Sequence, residues 1–147
     1  MQTSVPPPGI YTKGSLDITP IAAALGSDAG TTGSVVSFTG FVKRFSKYGR
    51  KVSYLVMESY DPLASEQITK ICSELSLKYQ LNRAAIYHFV GKFFPGEVLV
   101  HIVIASTGRK EGLTALEEAI HRYKTEPAIW KQEVYEDGTS TWIEGES

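Results

Sequence analysis

Three pairs of strand-like segments follow one another along this chain, and only two amphipathic segments separate the pairs. Residues 35–42 and 52–59 are rich in β-branched and aromatic side chains and read as strands. From 62 to about 79, Leu63, Ile68, Ile71, Cys72, Leu75 and Tyr79 recur at helical spacing, with Pro62 suited to a first turn. Residues 85–90 and 98–106 form the next pair, around a turn at Pro95-Gly96. Leu113, Leu116, Ile120 and Tyr123 mark a second helix that ends before Pro127. Residues 129–135 and 139–143 then predict a hairpin around Asp137-Gly138. A doubly wound parallel sheet requires strict alternation of strand and helix, which is absent. The order predicts an α+β chain, a single domain over residues 1–147, with a mainly antiparallel sheet and two main helices.

Composition narrows the function classes. At 147 residues there is room for one core, and 42% hydrophobic with 21% charged residues is ordinary for a folded chain. The formal net charge of -1 gives no basic field to attract nucleic acid, so any anion site must be a local cluster. No apolar run approaches the roughly 20 residues that cross a bilayer. The start, with Pro6-Pro7-Pro8, carries neither a secretory nor a transit pattern, and residues 1–9 are expected to form an extended, flexible arm. Residues 26–33 read as a loop. A lone cysteine, Cys72, rules out an intrachain disulfide and fits a reducing cytoplasm.

Ordinary catalytic machinery is missing. His88, His101 and His121 stand apart with no metal-ligand spacing, and the first two read as packing or surface residues within strands. Cys72, on the apolar stripe of the first helix, reads as a buried inert thiol. Neither a G-x-S-x-G elbow nor a phosphate-binding P-loop occurs. The remaining candidates are cations: Lys43 and Arg44 after one strand, Arg109 and Lys110 after another, Lys124 closing the second helix, and Lys131 beyond it. Singly, each has a bland account, such as the helix dipole favouring Lys124.

Residues 123–133, Tyr-Lys-Thr-Glu-Pro-Ala-Ile-Trp-Lys-Gln-Glu, set the two lysines seven positions apart. This segment is similar to the signature of the molybdopterin synthase large (catalytic) subunit family. Phe38-Thr39-Gly40-Phe41-Val42, Glu58-Ser59-Tyr60, His88 with Gly91, Pro95-Gly96-Glu97, Ser106 with Arg109, and Trp142 resemble further elements of that family, in order, over about residues 33–142. Four positions depart from its pattern. Lys43 stands for an arginine, Gly108 for a histidine and Phe89 for an arginine, while Pro127 comes one residue early. Lysine keeps the charge of arginine but not its planar fork.

The resemblance implies the α/β-hammerhead fold of that subunit and a cytoplasmic sulfurtransferase of molybdenum cofactor biosynthesis. Its substrate is cyclic pyranopterin monophosphate, which receives two sulfurs as a dithiolene. Sulfur comes from the C-terminal thiocarboxylate of a small ubiquitin-like carrier ending in Gly-Gly. This chain ends Glu144-Gly145-Glu146-Ser147, so the donor is expected to be a separate subunit. A homodimer within a heterotetramer is implied, with no metal and no resident cofactor. Lys124 and Lys131 are the implied catalytic residues. Lys124 contacts the partner's terminal carbonyl and assists proton transfer, and Lys131 holds substrate anionic groups beside it. Phe41, Val42, Lys43, Gly108, Arg109, Gln132 and Glu133 join them as implied substrate-binding residues, with Arg109 and Lys43 on the phosphate. Two other readings use the same residues: a non-catalytic paralogue that binds the carrier or a pterin, and a nucleic-acid module built on residues 41–51. The charge balance and the lack of an RNP-like or helix-turn-helix pattern weigh against the second.

Overall fold

The computed structural model describes residues 5–28 and 30–143. Its elements are β1 (Gly9–Thr12), α1 (Ile18–Leu25), β2 (Ser34–Phe41), β3 (Val52–Ser59), α2 (Leu63–Tyr79), β4 (Arg83–Phe93), β5 (Val98–Ser106), α3 (Arg109–Thr125), β6 (Ile129–Tyr135) and β7 (Ser140–Ile143). The strands form one sheet in the order β2-β5-β4-β3-β6-β7, antiparallel throughout, with β1 added in parallel to β4. The α+β class with two main helices holds.

Strand alternation divides the core between the two faces of the sheet. Ala84 and Ile86 of β4, with Val100, Ile102 and Ile104 of β5, meet Ile68, Ile71 and Leu75 of α2 and Ala115 and Ala119 of α3. The intervening residues Ala85, Tyr87, Val103 and Ala105 meet Ile21 and Leu25 of α1 on the other side. Cys72 is buried in the helix layer, and desolvation pushes its thiol up to about 12, in line with an inert role.

One strand serves two neighbours in succession. Along the same edge, β4 pairs with β1 from Tyr87 to Val90 and then with β3 from Gly91 to Phe93. Gly91 sits at the handover with φ +133, a conformation that L side chains rarely adopt. The chain turns there from the helix-covered half of the sheet toward the β3–β6–β7 half. The second half packs on its own cluster of Val42, Leu55, Met57, Phe89 and Phe93.

Several details differ from expectation. Strand β4 extends beyond 85–90 at both ends. The buried stripe of α3 is Gly112, Ala115, Ala119 and Tyr123, whereas Leu113 is exposed. Small residues let that helix lie close on β2 and β5, and the larger side chains go to its flanks. Of the arm expected at 1–9, residues 1–4 lie outside the described residues. The rest is tied down, with the Pro6 carbonyl accepting from the Tyr87 hydroxyl at 2.8 Å and Gly9 entering β1.

Candidate functional site

The C-terminal end of α3 faces the β3–β6–β7 half of the sheet across a cleft with a volume of about 770 Å³. Three pieces of chain build it. The first is the end of β2 with the loop that follows, supplying Phe41, Val42, Lys43, Lys47 and Arg50. Val42 is fixed there by two backbone bonds to the Pro95–Glu97 turn: its N–H donates to the Glu97 carbonyl, and its carbonyl accepts from Gly96 N–H. The loop closes on itself, with Ser46 N–H donating to the Arg50 carbonyl at 2.8 Å and Val52 N–H to the Arg44 carbonyl at 2.7 Å.

The second piece is the last turn of α3, which presents Tyr123 and Lys124. The third is the inward row of β6, Ile129, Lys131, Glu133 and Tyr135, alternating with Trp130, Gln132 and Val134 on the other side. A short turn joins these two pieces and is clamped from α2. Gln67 Oε1 accepts from Ala128 N–H at 2.7 Å, while Gln67 Nε2 donates to the Glu126 carbonyl at 3.3 Å. Helix end, clamped turn and strand together bring Lys124 and Lys131 to one cavity.

The lining is cationic. Lys43, Lys47, Lys124 and Lys131 share it with the carboxylate of Glu133. Arg50 lines it too, but is engaged by Asp137 at 3.0 Å and stacks 3.8 Å from the Tyr135 ring. Burial is the main cause that lowers the proton affinity of Lys131. Glu133 opposes that shift, and Lys124 and Lys43 add to it. Lys131 therefore feels both of the other lysines across the cleft.

His88 forms part of the floor. It is buried, and desolvation pulls its pKa down to about 4. His101 lies on the opposite face of the sheet, its Nδ1 2.9 Å from Thr39 Oγ1, and takes no part in the cleft.

Of the candidates read from sequence, Phe41, Val42, Lys43, Lys124, Lys131 and Glu133 come together. Gln132 does not. It belongs to the outward row of β6, and its amide donates to Ser140 Oγ at 3.2 Å. Gly108 and Arg109 are also elsewhere, at the start of the helix that ends beside Lys124. Fifteen residues of helical rise put Arg109 about 23 Å from Lys124 along the axis. Lys47, Arg50, His88 and Tyr123 line the cleft without having been singled out as site residues. Lys47 and Arg50 lie in the same short loop as Lys43, the one signal that could have found them. Among the described residues, no group of three His, Cys, Asp or Glu could hold a metal ion.

The family described as MoaE protein matches residues 11–126 of this sequence. The chain belongs to the MoaE family. Relatives of MoaE type agree with the match. The molybdopterin synthase catalytic subunit of Staphylococcus aureus is 38% identical over 110 residues, 75% of this chain and 73% of that one. The subunit of the same name from Bos taurus is 34% identical over 127 residues, 86% of this chain and 61% of that one. The crystal structure of molybdopterin synthase from Staphylococcus aureus superposes with a TM-score of 0.81 at 31% identity, covering 92% of this chain and 95% of that one. A complex of subunits 1 and 2 of molybdopterin-converting factor from Helicobacter pylori shares the fold, with a TM-score of 0.71 at 20% identity and coverage of 92% and 88%. The MoaE match ends at Glu126, so Lys124 falls within it and Lys131 just beyond.

Proposed function

We propose that this chain is the catalytic subunit of a molybdopterin synthase. It moves sulfur from the C-terminal thiocarboxylate of a small ubiquitin-like partner to cyclic pyranopterin monophosphate, building the dithiolene of molybdopterin. The observation that carries this reading is the convergence of Lys124, Lys131 and Lys43 on one cleft in a chain of the MoaE family.

The chemistry needs such a place. A phosphate and a thiocarboxylate, both anionic, must approach each other, and fixed cations offset their repulsion most where water is partly excluded. Lys124, at the mouth formed by the helix end, meets the partner's terminal carbonyl and assists proton transfer at the pterin carbon under attack. Lys131 holds substrate anionic groups from the strand side. Burial lowers its proton affinity, which a bound anion beside it would restore. Lys43 and Lys47 take the phosphate at the loop side. Phe41 and Trp142, both exposed at the cleft, offer apolar contact to the incoming tail. The reading calls on no resident cofactor or metal, since sulfur arrives on the partner. It places the protein in the cytoplasm.

Arg109 and Gly108 can share this cleft only by coming from a second copy of the chain, given their distance along α3. We therefore keep them as substrate-binding residues within a homodimer, each end of which takes one small subunit. The decisive test is Lys124→Ala in a reaction reconstituted with thiocarboxylated partner. Loss of about 100-fold or more in product formation is expected for a group acting on both proton and carbonyl. Wild-type turnover by the variant would remove Lys124 from the mechanism. Partner binding without turnover by the unmodified chain would make it a scaffold instead.

A further inference from the structure

We infer that His88 reads the pterin ring, offering Nε2 from the cleft floor as a fixed hydrogen-bond acceptor to a ring N–H or amino group. The inference rests on the reading of the cleft as the pterin phosphate site and adds how the ring end is told from the phosphate end.

The argument begins with the backbone. His88 Nδ1 lies 3.1 Å from the carbonyl oxygen of Phe89. A carbonyl oxygen only accepts, so Nδ1 carries the hydrogen and Nε2 of the neutral ring is left with its lone pair. Neutrality is enforced separately, because burial and the nearby Lys131 charge both disfavour the imidazolium.

Nε2 makes no hydrogen bond among the described residues. Every side-chain nitrogen or oxygen sealed from solvent among those residues has a hydrogen-bond partner. Nε2 is therefore not sealed, and the cavity His88 lines is the cleft. An acceptor waits there, beside the ring of Tyr123 at 5.7 Å between centroids.

Chemistry decides what it receives. The cyclic phosphate diester of the substrate and the thiocarboxylate are fully ionised at neutral pH and carry no hydrogen, so the Nε2 lone pair repels them. The pyrimidine side of a pterin presents both a ring N–H and an exocyclic amino group. Lysines at the loop and helix end attract the anions, while the floor accepts from the neutral heterocycle. The substrate is thus oriented ring inward and phosphate outward.

Imidazole ¹⁵N signals of the labelled protein test this, with unsubstituted pterin and inorganic sulfate, an oxyanion with no hydrogen at neutral pH, as the probes. At neutral pH, His88 should show protonated Nδ1 and bare Nε2. Pterin should shift the Nε2 signal, and sulfate alone should leave it in place. His88→Leu should weaken pterin binding about 10-fold, the loss expected when a buried donor goes unpaired, with sulfate binding kept. His88→Gln, which carries an amide oxygen to a similar reach, should recover most of that loss. An Nε2–H tautomer overturns the inference, as does an unmoved Nε2 while pterin shifts other cleft signals. Either result leaves the sulfurtransferase reading standing. If pterin at saturating concentration shifts nothing in the cleft, both fall. The wild-type titration decides the matter even where a variant does not fold.

Discussion

Lowering the pH from 6.5 to 4 should cost this fold roughly 3 kcal/mol through His88, the gap between its ordinary value of 6.5 and about 4 in the folded protein. The sign follows from proton counts. Between those two values the unfolded chain binds a proton at this histidine and the folded chain does not. Stability therefore falls as the solution becomes more acidic. The cost is complete only below the folded value, and about 2 kcal/mol of it should be present by pH 5. Burial is the first cause; the Phe89 carbonyl works against it, and Lys131 works with it. Urea unfolding of the wild type and His88→Gln at pH 7 and pH 5 reads the difference directly. Glu97, Glu118 and Glu126, whose values lie below the ordinary 4.5, lose their contributions mostly at lower pH. His101, also lowered by burial, is present in both proteins and cancels. Equal pH dependence in the two proteins, or a His88 that titrates near 6.5 by NMR, would refute the burial argument.

Two further perturbations test the packing at the start of α3 and the turn that shapes the cleft. In Gly33→Ala the new methyl would clash with the Thr107 carbonyl oxygen, where Gly33 N–H already bonds the Ser106 carbonyl. The overpacking should cost about 1–3 kcal/mol and lower the melting temperature, and an unchanged melt would deny the close approach. Gln67→Ala removes both bonds that clamp the α3–β6 turn. It should cost about 1–2 kcal/mol and speed amide exchange at Ala128; unaltered exchange there would mean the turn holds itself.

Much of this architecture was open to sequence reasoning because it rests on local pattern. Ile68, Ile71 and Leu75 at helical spacing gave α2, and the β-branched runs gave the strands. Helix α1 was not foreseen, although Asp17 caps it and Ile18, Ile21 and Leu25 mark one face. Eight residues, three of them alanine, carry little periodic signal. The parallel pairing of β1 with β4 has no local signature at all, since it joins Gly9 to Tyr87.

The site divides along the same line. Lys124 and Lys131 could be placed together because a helix end, a short turn and strand alternation fix their relation. The same arithmetic separates Arg109 from Lys124, because one helix carries both. Strand alternation likewise turns Gln132 away from Lys131 and Glu133. His88 reads from sequence as a packing or surface residue, and the structure buries it. Its proposed role depends on a carbonyl bond and on Tyr123 and Lys131, neighbours that only tertiary structure supplies.

The account's central claim is that one cleft, walled by Lys124 and Lys131, takes the phosphorylated pterin. A crystal structure of the protein soaked with cyclic pyranopterin monophosphate measures this most directly. The account predicts the ring against His88, with Lys124 and Lys131 within hydrogen-bond reach of the ligand and its phosphate toward Lys43. Ordered ligand elsewhere on the protein, with this cleft empty, would contradict it.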